Sequence, residues 1–136
     1  MSGYNIRARL GDASMRASPM TSQQIVNLLK LVGTPRDSAL LRFSLGCEYL
    51  KCADFEAAAT HLAAAVARDP GYSAAWKVLG DALAKSGRNE EALATFRKGI
   101  EVAERRGDKQ AAREMAVFAR RLEKNAASHK EDGAAT

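Results

Sequence analysis

Cysteine is scarce in this chain: Cys47 and Cys52 are the only two among 136 residues. Five positions apart on a helix, they point to different faces and cannot bridge each other. They form no C-x-x-C pair, and the only histidines are His61 and His129. A zinc site needs about four ligands at close spacings, so no metal is expected. Long hydrophobic runs are missing too. No stretch of about 18 apolar residues exists, which excludes a membrane-spanning helix. Residues 1–20 carry Arg7, Arg9, Asp12 and Arg16 without the continuous apolar run of a secretory signal. A cytoplasmic location is the resulting expectation. Catalytic signatures are lacking as well: there is no Gly-rich phosphate loop, and His61 has no nucleophile beside it. Glu90 and Glu91 are adjacent acids, but they belong to a helix first turn, where negative charge favours the dipole. Neither an enzyme nor a cofactor is expected.

With one Trp, three Tyr, four Phe and three Pro against abundant alanine, the composition favours helices over a β-sandwich or barrel. Apolar residues make up 46% and charged residues 27%, ordinary for one soluble domain of this length. The net charge of +5 is unevenly placed. Residues 1–36 hold Arg7, Arg9, Arg16, Lys30 and Arg36 against Asp12, while the remainder is nearly balanced. Within 97–124 the basic residues Arg97, Lys98, Arg105, Arg106, Lys109, Arg113, Arg120, Arg121 and Lys124 outnumber five acids. Because Glu101, Glu104, Asp108, Glu114 and Glu123 interleave with them, the segment reads as a solubilising face, and nucleic-acid binding is not the favoured reading.

Residues 1–20, with Gly3, Gly11, Ser14, Ser18 and Pro19, read as a disordered extension, and 129–136 as a frayed tail. Between them the pattern is helical. Thr21 is positioned to cap a helix to about Val32, with Ile25, Leu28, Leu29 and Val32 on one stripe. Thr34-Pro35 is a helix-start signal for a helix to about Lys51. Asp54 caps the next, to about Arg68. Asp69-Pro70-Gly71 is a break; Gly71 or Ser73 opens a helix to about Ser86, ended by Gly87. Asn89 caps a helix to about Arg105, and Asp108 opens a last one to about Ala126.

The chain overlaid on itself repeats with a period of 34. Leu45 and Gly46 return as Leu79 and Gly80, Lys51 as Lys85, Glu56 as Glu90, and Ala58 as Ala92; Tyr49 pairs with Leu83 and Leu62 with Phe96. A fixed period of this length with two helices per unit means stacked helical hairpins. Gly46 and Gly80 permit close approach of the paired helices, Ala58 and Ala92 meet them from the second helix, and Pro70 stops the first unit's second helix.

The run Trp76-x2-Leu79-Gly80-x2-Leu83 with Ala92-x3-Phe96, and the run Arg42-x2-Leu45-Gly46-x2-Tyr49 with Ala58-x3-Leu62 and Pro70, resemble the tetratricopeptide repeat family. The resemblance covers about residues 39–105. It implies an all-α, right-handed short superhelix with repeats at 39–72 and 73–106, a helix at 21–33 before them and a capping helix at 107–127. Arg42 stands in place of the tryptophan, which predicts a weaker or more exposed edge. A further step of 34 lands on Gln110, Arg113, Glu114 and Val117, which do not match, so the last helix reads as a cap, with Ala112, Ala116, Ala119 and Leu122 inward.

The resemblance further implies a non-catalytic protein-interaction module, an adaptor or scaffold whose first helices line a concave groove. Carried over position by position, that groove comprises Leu40, Phe43, Cys47 and Leu50, then Ala74, Lys77, Asp81 and Ala84, with Ala111, Met115 and Phe118 from the last helix. Phe43, Cys47 and Asp81 stand where some members place the lysine and asparagines of a carboxylate clamp, so a chaperone tail is not the expected ligand. An apolar groove suits a peptide or amphipathic helix of another protein, with Phe43 and Phe118 as anchors. Alternatively, these residues are plain core, or the apolar surface forms a homodimer.

Overall fold

The computed structural model describes residues 19–135, with side chains from 23 to 128; of the extension expected at residues 1–20, residues 1–18 lie outside that range and Pro19 and Met20 belong to the first helix. Six helices follow one another: α1 (Pro19–Leu29), α2 (Ala39–Lys51), α3 (Phe55–Arg68), α4 (Ser73–Lys85), α5 (Asn89–Arg106) and α6 (Lys109–Ala135), and no strand occurs among the described residues. The fold is all-α, built of helical hairpins.

Helix ends follow local chemistry. α1 begins at Pro19, ahead of Thr21, consistent with proline's fixed φ in a first turn, and closes at Leu29, three residues short of Val32. Thr34-Pro35 does not start α2. Thr34 closes a turn on the Leu31 carbonyl, and the cap is Ser38, whose Oγ accepts from the Leu41 amide at 3.1 Å. A serine hydroxyl is the better N-cap, so the helix opens there. Asp54 caps α3 as expected, accepting from the Ala57 amide. Ser73 and Asn89 make no side-chain cap bond; the cap positions are Tyr72 and Arg88. Ser73 instead donates to Asp108 at 2.8 Å, and Asp108 in turn accepts from the Ala111 amide at the start of α6. α6 runs past Ala126 to Ala135. Alanine, lysine and glutamate are good helix formers, and no glycine or proline intervenes before Gly133.

α2 packs on α3 and α4 on α5 as antiparallel hairpins, and α4 also packs on α3. Leu45, Leu62, Ala58, Leu79, Leu83, Ala92 and Phe96 are buried. A Cβ placed on Gly46 would run into Leu62, and one placed on Gly80 would run into Phe96. The glycines therefore set how closely each pair of helices approaches. Trp76 lies one turn before Gly80 on α4: its Cβ packs beside Gly99, and its indole N–H donates to the Pro70 carbonyl at 2.8 Å.

Arg42, in the tryptophan's place, is not an exposed edge. Its side chain is only 15% accessible and forks onto the Asp37 carboxylate, Nε to Oδ1 at 2.8 Å and Nη2 to Oδ2 at 2.9 Å. Arg68 from α3 reaches the same carboxylate at 3.3 Å, and the Gly33 amide donates to it. Arg42 Nη1 also donates to His61 Nδ1 at 3.3 Å, so that nitrogen is the acceptor and the imidazole is neutral. Burial, reinforced by Arg42, holds the His61 pKa below its usual value. The ring stacks on Tyr49 at 5.4 Å.

α6 meets α5 and α4 as α4 meets α3 and α2. It occupies the place of a first helix, but at a spacing of 36 from α4. Met115 then stands where Leu79 does, Ala116 at Gly80 and Ala119 at Leu83, and Met115 and Ala119 are buried like their counterparts. The period lengthens because α5 has 18 residues against 14 in α3, while the connection after it shortens to Gly107-Asp108 from Asp69–Tyr72. α6 thereby covers the second hairpin, and α1 packs on α2 at the other end.

Candidate functional site

α2, α4 and α6 lie side by side, each packed on its neighbour. Their shared outer face is the one to which the sequence pattern assigns a groove; α3 and α5 pack on the α2 and α4 layer from the other side. The residues assigned to this face from the sequence divide into three groups.

Leu40 is 64% exposed, the most accessible large apolar side chain described. Phe43, Cys47, Leu50, Ala74 and Ala84 are half-buried. Phe43 lies against Tyr72 with ring centroids 4.9 Å apart and joins the core from its edge. It is part wall and part core rather than a free anchor. Burial pushes the Cys47 thiol up, which keeps it protonated and unreactive.

Lys77 and Asp81 carry the polar centre. Lys77 does not pair with Asp81 one turn away. It reaches across to Glu114 of α6 at 2.7 Å, and that hydrogen bond lowers the Glu114 pKa. Asp81 pairs with Lys85 at 3.0 Å. With Val78 and Phe118 these residues line a cleft of about 280 Å³ between α4 and α6. An adjoining cleft of about 180 Å³ runs past Asp81, Ala84 and Phe118 to Arg121, Leu122 and Asn125. Phe118 is half-buried against Phe96, centroids 5.5 Å apart, with the Arg121 guanidinium over its ring at 5.9 Å.

Met115 does not belong to the groove. It is fully buried, with its sulfur seated against Gly99 of α5, and Ala111 is buried beside it. Both were placed by the wrong offset. Stepping Ala74, Lys77, Asp81 and Ala84 forward by 36 instead gives Gln110, Arg113, Val117 and Arg120, and Val117 is 44% exposed. Val117, reached by that step, and Glu114 and Arg121, which line the two clefts, are the surface residues that the sequence pattern missed. The burial rhythm Ala112, Met115, Ala119 and Leu122 was the available signal for that register.

The face presents no nucleophile–base pair, and no group of metal-ligating side chains occurs among the described residues. The carboxylate-clamp positions hold Phe43, Cys47 and Asp81, none of which is a cation, and the nearby ammonium groups of Lys77 and Lys85 already face Glu114 and Asp81. No helix of the described residues is long and apolar enough to cross a membrane.

Comparison with known proteins agrees with this architecture. The family model described as Tetratricopeptide repeat matches residues 43–103. The TPR repeat-containing protein PA0015 of Pseudomonas aeruginosa is 45% identical over 100 residues, 74% of this chain and 95% of that one. The solution structure of protein BPP2914 from Bordetella parapertussis superposes with a TM-score of 0.68 at 36% identity, covering 85% of this chain and 96% of that one. Such repeats in general mediate protein–protein interaction without catalysis. With hairpin packing, repeat register and relatives in agreement, this chain belongs to the tetratricopeptide repeat family.

Proposed function

We propose that this protein is an adaptor or scaffold subunit that holds a peptide or amphipathic helix of another protein on the face formed by α2, α4 and α6. The observation that carries this reading is the pair of aliphatic side chains left in solvent on those helices, Leu40 on α2 and Val117 on α6, together with the α4–α6 cleft lined by Lys77, Val78, Asp81, Glu114 and Phe118. Exposed apolar groups next to a concavity supply the burial that drives peptide association.

The test is selection of a randomised displayed peptide library on the purified protein. Sequences enriched on the wild type are expected to be lost on Leu40→Glu and kept on Ala63→Glu, which alters the opposite face of the molecule. Enrichment unaffected by Leu40→Glu but abolished by Ala63→Glu would move the site to the α3–α5 side and contradict the proposal. Self-association is a second reading, favoured by Val26 and Leu29, which remain 47% and 39% exposed on α1. It requires a mass that rises with concentration and falls back to the monomer on Val26→Glu.

A further inference from the structure

The interleaving of acids and bases along α6 in sequence is undone in three dimensions. Glu114 turns inward to Lys77 at 2.7 Å. Glu123 turns to Arg97 of α5 at 2.6 Å. Both acids of the described α6 side chains are thus taken up by cations of neighbouring helices. Arg113, Arg120, Arg121 and Lys124 are all exposed, and among the described residues none of them pairs with a carboxylate. Arg113 donates only to the Gln110 amide oxygen at 3.2 Å, and Arg121 rests over Phe118. With Val117 they follow the spacing i, i+4, i+7, i+8 and i+11, which is one helical face. The far wall of the groove is therefore cationic, whereas its near wall on α2 is apolar, with Leu40, Phe43 and Leu50.

We infer that the ligand is an acidic peptide segment of a protein partner, with apolar side chains at one end over α2 and carboxylate side chains at the other over the Arg113, Arg120 and Arg121 wall. This rests on the groove reading and adds the chemistry of the occupant. Three helices about 10 Å apart span roughly 20 Å, the length of about six extended residues, so both features fit within one short segment. Guanidinium groups without an internal partner favour carboxylates through forked hydrogen bonds, and a wall of one sign repels basic segments. A nucleic acid or a lipid surface fits less well. It offers no aliphatic side chains to cover Leu40, Phe43 and Leu50.

The experiment uses randomised octapeptides selected on the full chain, read by sequencing, then by titration of the most enriched peptide. The wild-type pool is expected to be acidic, with aliphatic or aromatic residues grouped at one end. The exposed triple variant Arg113→Glu/Arg120→Glu/Arg121→Glu, with helical content checked by circular dichroism, should weaken that peptide by at least about tenfold. The milder triple change of the same residues to Gln should weaken it less, and added salt should weaken wild-type binding. A wild-type pool that is neutral or basic, yet still lost on Leu40→Glu, would overturn the acidic inference and leave the groove standing. No enrichment at all would overturn both. Single-stranded DNA or phosphatidylserine vesicles binding as tightly as the peptide, with the same loss on the Glu variant, would identify a general anion surface and likewise overturn the inference.

Discussion

The two hairpins solve the same packing problem with different residues. At the closest approach of the paired helices, Gly46 admits Leu62 and Gly80 admits Phe96. At the tight turn, the second hairpin uses Gly87 at φ +84°, while the first uses Ala53 at φ +60°. The surrounding hydrogen bonds correspond: Ala53 N–H to Leu50 O and Asp54 N–H to Tyr49 O, against Gly87 N–H to Ala84 O and Arg88 N–H to Leu83 O. At the outer edge, Trp76 is fixed by packing and one hydrogen bond, whereas Arg42 is fixed by a carboxylate shared with Arg68. A position in this fold thus specifies a volume to be filled and a backbone geometry to be met. Apolar bulk and a satisfied ion network both suffice.

The largest way to break this correspondence is at the helix contact. Phe96→Ala removes a side chain that is 2% exposed and should cost about 3 to 5 kcal/mol. Gly80→Leu should cost about 2 to 3 kcal/mol by overpacking the same contact. Urea unfolding reads both, and a midpoint unchanged by Gly80→Leu would contradict the packing described here. The turns come next. Gly87→Ala should destabilise by about 1 kcal/mol, and Ala53→Gly should stabilise by up to about 1 kcal/mol, because only the first hairpin holds a side chain in the left-handed region. Opposite signs at equivalent positions would sharpen the comparison; equal signs would break it.

The edge network is read by pH. The hydrogen bond from Arg42, then that from the Gly33 amide, holds the Asp37 carboxyl well below the usual carboxylate range. A carboxylate whose pKa is depressed on folding contributes stability above its unfolded pKa of about 4, and that contribution fades as pH falls below it. Asp37→Asn should therefore lower the melting temperature at neutral pH, with the gap to wild type closing below about pH 4. Glu91, Glu101, Asp108 and Glu114 are also shifted downward by their partners and give both proteins a common acid sensitivity. A gap independent of pH would show that Asp37 acts through packing alone. The smallest expected effect on stability is that of Leu40→Glu, within about 0.5 kcal/mol because the side chain is already in water, even though it is expected to abolish peptide binding. A large loss of stability would reassign Leu40 to the core.

Much of the architecture was legible in the sequence because glycine, alanine and large apolar residues recur at a fixed spacing. The period of 34 located both hairpins, and Asp54 announced a cap that is present. The remainder depended on contacts that cross helices. The partner of Arg42 is Asp37, in the irregular segment before α2, where no periodicity points to it. The length of α5 altered the step to α6, so a fixed offset put Met115 on the surface and overlooked Val117. Interleaved charges on α6 looked neutral along the chain, and only the pairing of Glu114 and Glu123 with other helices separates the cationic face. Phe43 was recognised as an apolar position, but its contact with Tyr72 of the next repeat connection is invisible to spacing alone.

The most direct measurement of the central claim is an amide chemical-shift titration of the labelled protein with a peptide selected on it. The account predicts perturbations running across Leu40, Phe43 and Leu50 of α2, Lys77 and Asp81 of α4, and Arg113, Val117 and Arg121 of α6, with α3 and the outer face of α5 unmoved. Perturbations concentrated around Ala59, Ala63, Glu91 and Thr95, on the opposite side of the molecule, would contradict it.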